Sequence, residues 1–269
     1  MRYQCAAMRI ALGIEYDGRR YAGWQVQPHG NTVQNQLVTA LSKIAGVPLS
    51  VIAAGRTDAG VHALGQVVHF DCSVARPDRA WVRGVNAHLP ADIAVRWMQR
   101  VDDDFHARFS ALSRSYRYLL LNRPVRPALV SGRMGWFHPP LDVAAMREAA
   151  QYLVGRHDFS SFRAAECQAK SPIKTLQQLE ISTRGELIQF SLRADAFLHH
   201  MVRNLVGALL YVGKHAYAPQ QMACLVDARD RRTAPPTFMP DGLYLSQVEY
   251  PAHYALPCVD NEFLGCVLS

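Results

Sequence analysis

The chain has 269 residues, of which 49% are hydrophobic and 19% are charged, so it can bury a large core as one or two globular domains and is not disordered. It contains no apolar run of about 18 residues, and its first eight residues lack the apolar core of a signal peptide, which disfavours membrane and exported proteins. Its formal net charge is +7, and most of that charge lies in one arginine-rich stretch.

The first half of the chain carries clear strand and helix patterns. Apolar side chains at every second position between Arg9 and Tyr16 predict a strand. After a polar loop, Asn31 or Thr32 can cap a helix that ends at Gly46. The later elements predicted for this half are strands at residues 51–54, 66–70 and 93–97 and a helix at residues 77–85.

The second half continues in the same style. Alternation predicts a strand at residues 113–121, with Tyr116 and Tyr118 on one face. Asp142 heads a helix that passes Leu153 and stops at Gly155. The remaining predictions are strands at residues 176–183, 187–195 and 243–248, a long helix at residues 197–212 stopped by Gly213, and a short helix after Pro219.

This order of elements predicts an α+β fold of two similar α/β halves. Their mixed, mostly antiparallel sheets would form one continuous sheet with helices packed on one side. We expect an N-terminal half at residues 1–110, a C-terminal half at residues 111–256 and a tail of unknown role at residues 257–269.

One loop, residues 54–63, combines a carboxylate, a guanidinium and an imidazole between two predicted strands. Gly55 and Gly60 bracket it, as glycines do where a backbone turns sharply or lets a ligand approach. Asp58 can be a structural turn residue, or a nucleophile or base if a nearby guanidinium holds it ionised. Arg56 could supply that charge, and His62 could contact phosphate or cap the loop.

Other candidate residues lie in the second half, each with a structural alternative. Tyr116 can be a core tyrosine or a ring that stacks on an extruded base. Arg203, in a mostly apolar predicted helix, either reaches water or meets a partner. Arg163, in the segment 155–163, belongs either to the packing that stops a helix or to the rim of a site.

Sites for metals and cofactors are not indicated. The chain has no phosphate-binding glycine loop, dinucleotide fingerprint or metal-ligand spacing, and the adjacent His199 and His200 would point to different faces of a helix. The six cysteines form no C-x-x-C pair, so we expect free thiols in a reducing cytoplasm. An enzyme with this sequence would work without metal or cofactor.

The arginine-rich stretch runs from Arg76 to Arg133. It holds eleven arginines and five aspartates but no lysine or glutamate, a net charge of +6. The arginine fork suits phosphate, and clustered positive charge is typical of proteins with a polyanionic partner. The alternative is a solvated basic surface, but the pattern favours a nucleic acid.

These motifs together resemble those of the tRNA pseudouridine synthase A family, the anticodon stem-loop class. The block from Gly55 to Ala63 is highly specific, and the other pieces recur in the family's order over most of residues 9–250. The departures are the two ends of the chain, and Lys174, where the family often has arginine. The other matching segments are 13–18, 23–25, 65–70, 104–110, 116–118, 158–163 and 199–204.

The resemblance implies isomerisation of uridine to pseudouridine at tRNA positions 38, 39 and 40 without a cofactor. The enzyme would be a cytoplasmic homodimer, with a basic cleft between the two halves of each subunit. The family's catalytic aspartate maps to Asp58, and the arginine that pairs with it maps to Arg203. Its active-site tyrosine maps to Tyr116, and Arg56 is the loop arginine linked to base flipping. The substrate-binding set implied for this chain is Arg56, Thr57, His62, Tyr116 and Arg163.

Two other classes of function compete with this reading. A glycoside or nucleoside hydrolase usually needs two carboxylates, and the run Asp102-Asp103-Asp104 looks like a solvated turn rather than a second reactive group. A non-catalytic RNA-binding module would need only the basic stretch.

Overall fold

The computed structural model describes residues 8–28 and 30–257. Within these ranges the chain is α+β, with ten strands in a large, mostly antiparallel sheet and four α-helices, which confirms the predicted class. Internal contacts divide the chain into two compact units. The first consists of the chain up to Leu112 and from Leu245 onward, and the second is Ser113–Tyr244.

In the first unit, β1 (Met8–Tyr16) is the middle strand. It pairs antiparallel with β3 (His62–Cys72) on one side and with β4 (Ile93–Val101) on the other. Ile10, Leu12 and Ile14 of the predicted apolar face are fully buried, but Ala11 and Gly13 between them are buried too, so both faces of this strand are covered. The short β2 pairs antiparallel with β3. The bounds are β1 Met8–Tyr16, α1 Val33–Ala45, β2 Ile52–Ala53, β3 His62–Cys72 and β4 Ile93–Val101.

Helix α1 begins and ends where the sequence predicts. The Thr32 hydroxyl accepts a hydrogen bond from Asn35 N–H and so caps the helix. Gly46 ends it in the left-handed region at φ 76°, where glycine is favoured. The helix predicted at residues 77–85 has a π-helical centre, Ala80–Gly84, since Val85 N–H reaches back to Ala80 O.

In the second unit, four antiparallel strands lie in the order β5, β9, β8, β7, and β6 pairs parallel with β5. Helix α3 is buried along most of its length. The bounds are β5 Ser113–Asn122, β6 Gly135–Phe137, α2 Val143–Gln151, β7 Gly155–Asp158, β8 Ile173–Arg184, β9 Leu187–Ala194, α3 Met201–Gly213 and α4 Gln221–Ala228. The closing strand β10, Leu243–Glu249, begins in the second unit and belongs to the first from Leu245 onward.

Several sequence predictions for the second unit need correction. Helix α3 begins at Met201 rather than at residue 197, because His200 lies in the left-handed region at φ 61° and interrupts the helix. His199 and His200 therefore precede the helix, and the argument that they point to different helix faces is wrong. Gly213 is the last residue of α3, α2 ends before Leu153, and β6 and β7 are strands that the sequence did not predict.

Three cysteines lie in the described ranges, and all are free thiols: Cys72 and Cys167 are buried and Cys224 is exposed. The other three, Cys5, Cys258 and Cys266, lie outside those ranges, as do the first seven residues and nearly all of the predicted tail. The longest described helices have 13 residues, fewer than a bilayer crossing needs, so this part of the chain has no membrane-spanning helix.

Candidate active site

The loop between β2 and β3 is anchored to β3 through its main chain. The Gln66 side-chain amide donates to Gly55 O at 2.7 Å. Farther along, Val61 N–H donates to Asp58 O at 3.2 Å and closes a turn. Hydrogen bonds therefore fix the backbone conformation on both sides of Asp58.

Burial differs among the three central loop residues. Arg56 is exposed, Thr57 is buried and Asp58 is half-buried. A half-buried carboxylate on a fixed backbone can act as a nucleophile or base toward a bound substrate, provided that it is ionised. The exposed Arg56 is placed where a polyanion can approach it.

Thr57 anchors the buried side of the loop through hydrogen bonds to Tyr16 and Trp24. Its side chain is only 7% exposed, and its hydroxyl shares a hydrogen bond of 2.8 Å with the Tyr16 hydroxyl. Trp24 N–H donates to Thr57 O at 3.0 Å. Burial raises the Tyr16 pKa above its ordinary value, against the opposing effect of hydrogen bonds to Thr57 and Gln66, so the phenol stays neutral. These contacts give Thr57 a structural task in the loop.

His62 also anchors the loop, at the end where the loop joins β3. It is 2% exposed, and its Nδ1 lies 3.2 Å from Gly18 N and 3.3 Å from Asp17 Oδ1. Unprotonated Nδ1 accepts from Gly18, whereas protonated Nδ1 donates to Asp17. Burial tends to raise the Asp17 pKa, but hydrogen bonds from Arg19 and the charges of His62 and Arg19 outweigh it and lower the pKa to about 2.

Two glycines press directly against the back of the loop. A Cβ on Gly18 would lie 1.9 Å from Val61 O. A Cβ on Gly23, whose φ is +91°, would lie 2.8 Å from Thr57 O. No side chain fits at either position without moving the loop that carries Asp58.

In the second unit, Tyr116 and Tyr118 lie on β5. Tyr118 is fully buried and donates its hydroxyl hydrogen to Met239 O at 3.0 Å, so it is a core residue. Tyr116 is 9% exposed, and its ring meets the edge of Phe197 with centroids 5.0 Å apart and an interplanar angle of 80°. This geometry fixes the plane of the Tyr116 ring.

Arg203 lies in the first turn of α3 and is half-buried. Its Nε donates to Phe238 O at 2.9 Å, and Phe238 N–H donates back to Arg203 O at 3.3 Å. The side chain thus has a hydrogen-bonding partner within its own unit while it remains partly exposed. These two hydrogen bonds between Arg203 and Phe238 fix the direction of the Arg203 side chain.

Arg163 organises the loop that follows it. Its guanidinium donates to Cys167 O and, at 3.3 Å, to Ala169 O. His199 N–H donates to Cys167 Sγ at 3.4 Å, which ties this loop to the residues ahead of α3. Burial would raise the Cys167 thiol pKa, but the N–H groups of His199 and Ala169 and the Arg163 guanidinium lower it overall.

The sequence predicted the exposed parts of the loop but missed the residues that hold it. Tyr16, Gly18, Gly23 and Gln66 all lie inside the matching segments, yet nothing in their local pattern indicates a contact with the loop. Their partners are as far as 44 positions away in the chain. Only the Asp17-Gly18 turn signal was visible in advance.

Comparison with known proteins places the chain in a family. The sequence model described as tRNA pseudouridine synthase matches residues 13–110 and 149–251. The tRNA pseudouridine synthase A of Chromobacterium violaceum is 67% identical over 251 residues, covering 93% of this chain and 96% of the relative. Proteins of the same name from Dechloromonas aromatica and Methylobacillus flagellatus are 57% and 58% identical, covering 97% and 95% of this chain and 100% and 98% of theirs. The chain belongs to the tRNA pseudouridine synthase family.

Proposed function

We propose that this chain isomerises uridine to pseudouridine at positions 38, 39 and 40 of the tRNA anticodon stem-loop, with Asp58 as its single catalytic carboxylate. The observation that carries the proposal is the half-buried Asp58 on a loop fixed from behind by buried hydrogen bonds and two close-packed glycines. Relatives named for this activity cover nearly the whole chain, which supports the same conclusion.

The reaction is an isomerisation and balances without an external group. The bond between uracil N1 and ribose C1′ breaks, a bond between uracil C5 and C1′ forms, the C5 proton leaves and N1 gains a proton. One carboxylate suffices, whether it attacks the sugar, attacks the base or assists formation of a glycal. Neither a metal nor a redox cofactor enters this balance.

The other residues have distinct roles in the proposal. Arg203 is the counter-charge that pairs with Asp58, because a guanidinium forms strong charge-assisted hydrogen bonds with a carboxylate. The ring of Tyr116 stacks on the target base. Arg56, exposed on the loop, occupies the space of the flipped base, which offsets the few kcal/mol that flipping costs. Arg163 contacts the tRNA at the rim of the site.

Thr57 and His62 have a different kind of role. Their burial and their hydrogen bonds to Tyr16 and Gly18 favour positioning of Asp58 over direct contact with tRNA. We therefore assign them to holding the loop.

The partner in this proposal is tRNA, bound by a homodimer in the cytoplasm through a basic cleft. The eleven arginines between Arg76 and Arg133 support a polyanionic partner, since all are exposed or half-buried. Some are already committed within the protein. Arg76 donates to Ile44 O at 2.9 Å and Arg100 pairs with Asp78 at 2.7 Å.

One assay separates this proposal from its two competitors. The protein is incubated with tRNA that carries tritium at uridine C5, and released tritium, pseudouridine and free uracil are measured together. The proposal predicts tritium release equal to pseudouridine formed, with no free uracil. Free uracil would indicate a hydrolase, and unchanged tRNA in a tight complex would indicate a non-catalytic RNA-binding module.

A further inference from the structure

The residue after Arg203 carries an amide side chain whose groups are tied to three separate parts of the second unit. Asn204 is 1% exposed. Its Nδ2 donates to Phe162 O at 2.7 Å. Its Oδ1 accepts from Thr237 Oγ1 at 2.6 Å and from Arg231 Nη2 at 3.2 Å. Only this orientation of the amide satisfies a carbonyl on one side and two donors on the other.

Thr237 and Arg231 are also joined to each other. Arg231 Nη2 donates to Thr237 Oγ1 at 3.2 Å, so the threonine hydroxyl accepts from the guanidinium while it donates to the amide. Arg231 Nη1 donates to Ala234 O at 3.0 Å. Within the described residues Arg231 pairs with no carboxylate, and burial lowers its pKa. Its charge strengthens the hydrogen bonds to these neutral acceptors.

This network sets the position of the chain segment that holds Arg203. Thr237 directly precedes Phe238, whose carbonyl accepts from Arg203 Nε and whose N–H donates to Arg203 O. One turn farther along α3, a Cβ on Gly207 would lie 2.6 Å from Pro236 O, so this segment lies against the helix backbone. The bond from the Thr237 hydroxyl to Asn204 is therefore one of the contacts that hold this segment to α3 and set the position of the Phe238 carbonyl.

We propose that Asn204, Thr237 and Arg231 form a positioning network that orients the Arg203 guanidinium for catalysis. The inference rests on the proposed function, in which Arg203 acts on Asp58. None of its three members is proposed to touch substrate, so none is a catalytic residue. Asn204 also donates to Phe162 O and so holds the backbone next to Arg163, a second arginine of the proposed site.

The test uses Thr237→Val, which keeps the shape of the side chain and removes the hydroxyl. We expect kcat on tRNA to fall on the order of 10- to 100-fold, the range for a misplaced group of about 1 Å, while KM stays within about twofold. Thr237→Ser restores the hydroxyl and should recover most of the activity. Thr233→Val is the matched control, because Thr233 is exposed and its hydroxyl donates to Asp230 O at 2.8 Å rather than to the network. We expect wild-type kcat from it.

A second step shows whether the effect passes through Arg203. In an Arg203→Lys background the bond from Nε to Phe238 is already lost, so Thr237→Val should reduce the single-turnover rate by less than about twofold further. An equal loss in both backgrounds, or a loss in KM rather than kcat, overturns the network. Activity in Asp58→Asn would instead overturn the proposed function, so the two failures are distinguishable.

Discussion

Gly18→Ala tests whether the back of the catalytic loop is as tightly packed as its geometry indicates. The added Cβ would lie 1.9 Å from Val61 O, a backbone atom, whereas real Cβ atoms essentially never come closer than 3.0 Å. The two must therefore separate by at least 1.1 Å. Because Val61 N–H bonds Asp58 O, that shift passes to the turn carrying Asp58.

We expect two measurable consequences. Overpacking of this kind costs about 3 kcal/mol of unfolding free energy. That corresponds to a decrease of roughly 6–12 °C in Tm for a domain of about 200 residues. A displacement of about 1 Å at the reacting group should lower kcat on the order of 100-fold at 25 °C. Thermal unfolding and pseudouridine formation measure the two effects separately.

Gly55→Ala is the control for stability. A Cβ at Gly55 would have no neighbouring atom within 4 Å, so its Tm should match that of the wild type. If Gly18→Ala kept the wild-type Tm and kcat, the loop would not be held from behind as described. Equal destabilisation by both substitutions would also refute the reasoning.

Three further predictions concern the supports of the same unit. Tyr16→Phe leaves the buried Thr57 hydroxyl without its partner at 2.8 Å and should lower unfolding free energy by about 1–3 kcal/mol, measured by urea denaturation; no change would contradict it. The Asp17 carboxylate, with its pKa lowered to about 2, stabilises the fold above pH 4 and loses that effect as pH falls toward 2. Asp17→Asn should therefore lower Tm at pH 6 but not at pH 2, and a pH-independent difference would count against this. Burial lowers the pKa of the His69 imidazole in β3 to about 4. An NMR titration should therefore give a midpoint near 4, and a midpoint near 6.5 would contradict this prediction.

Much of the fold could be predicted because its signals are local. The large apolar residues at every second position of β1 can be recognised in a short stretch of sequence, and Thr32 is a standard cap for the helix that follows. Strands of three and four residues, such as β6 and β7, are too short for any period to show. The left-handed conformation of His200 could not be predicted either, because residues other than glycine adopt it in only a small minority of cases.

The candidate site, too, could be predicted only where its signals are local in the sequence. Asp58 and Arg56 could be singled out because charged residues between glycines at a strand end are visible in the sequence. The supports from Tyr16 and Gly18 could not, because their contacts span about 40 positions and form only when β1 pairs with β3. Asn204 was hidden for the same reason, since a lone amide in an apolar helix does not reveal its partners.

The central claim is that Asp58 is the single catalytic carboxylate, and Asp58→Asn tests it most directly. The substitution keeps the size of the side chain and removes its charge. The decisive measurement is pseudouridine formation in tRNA under single-turnover conditions, with tRNA binding measured on the same preparation. We predict wild-type binding and no detectable pseudouridine, and substantial pseudouridine formation by this variant would contradict the account.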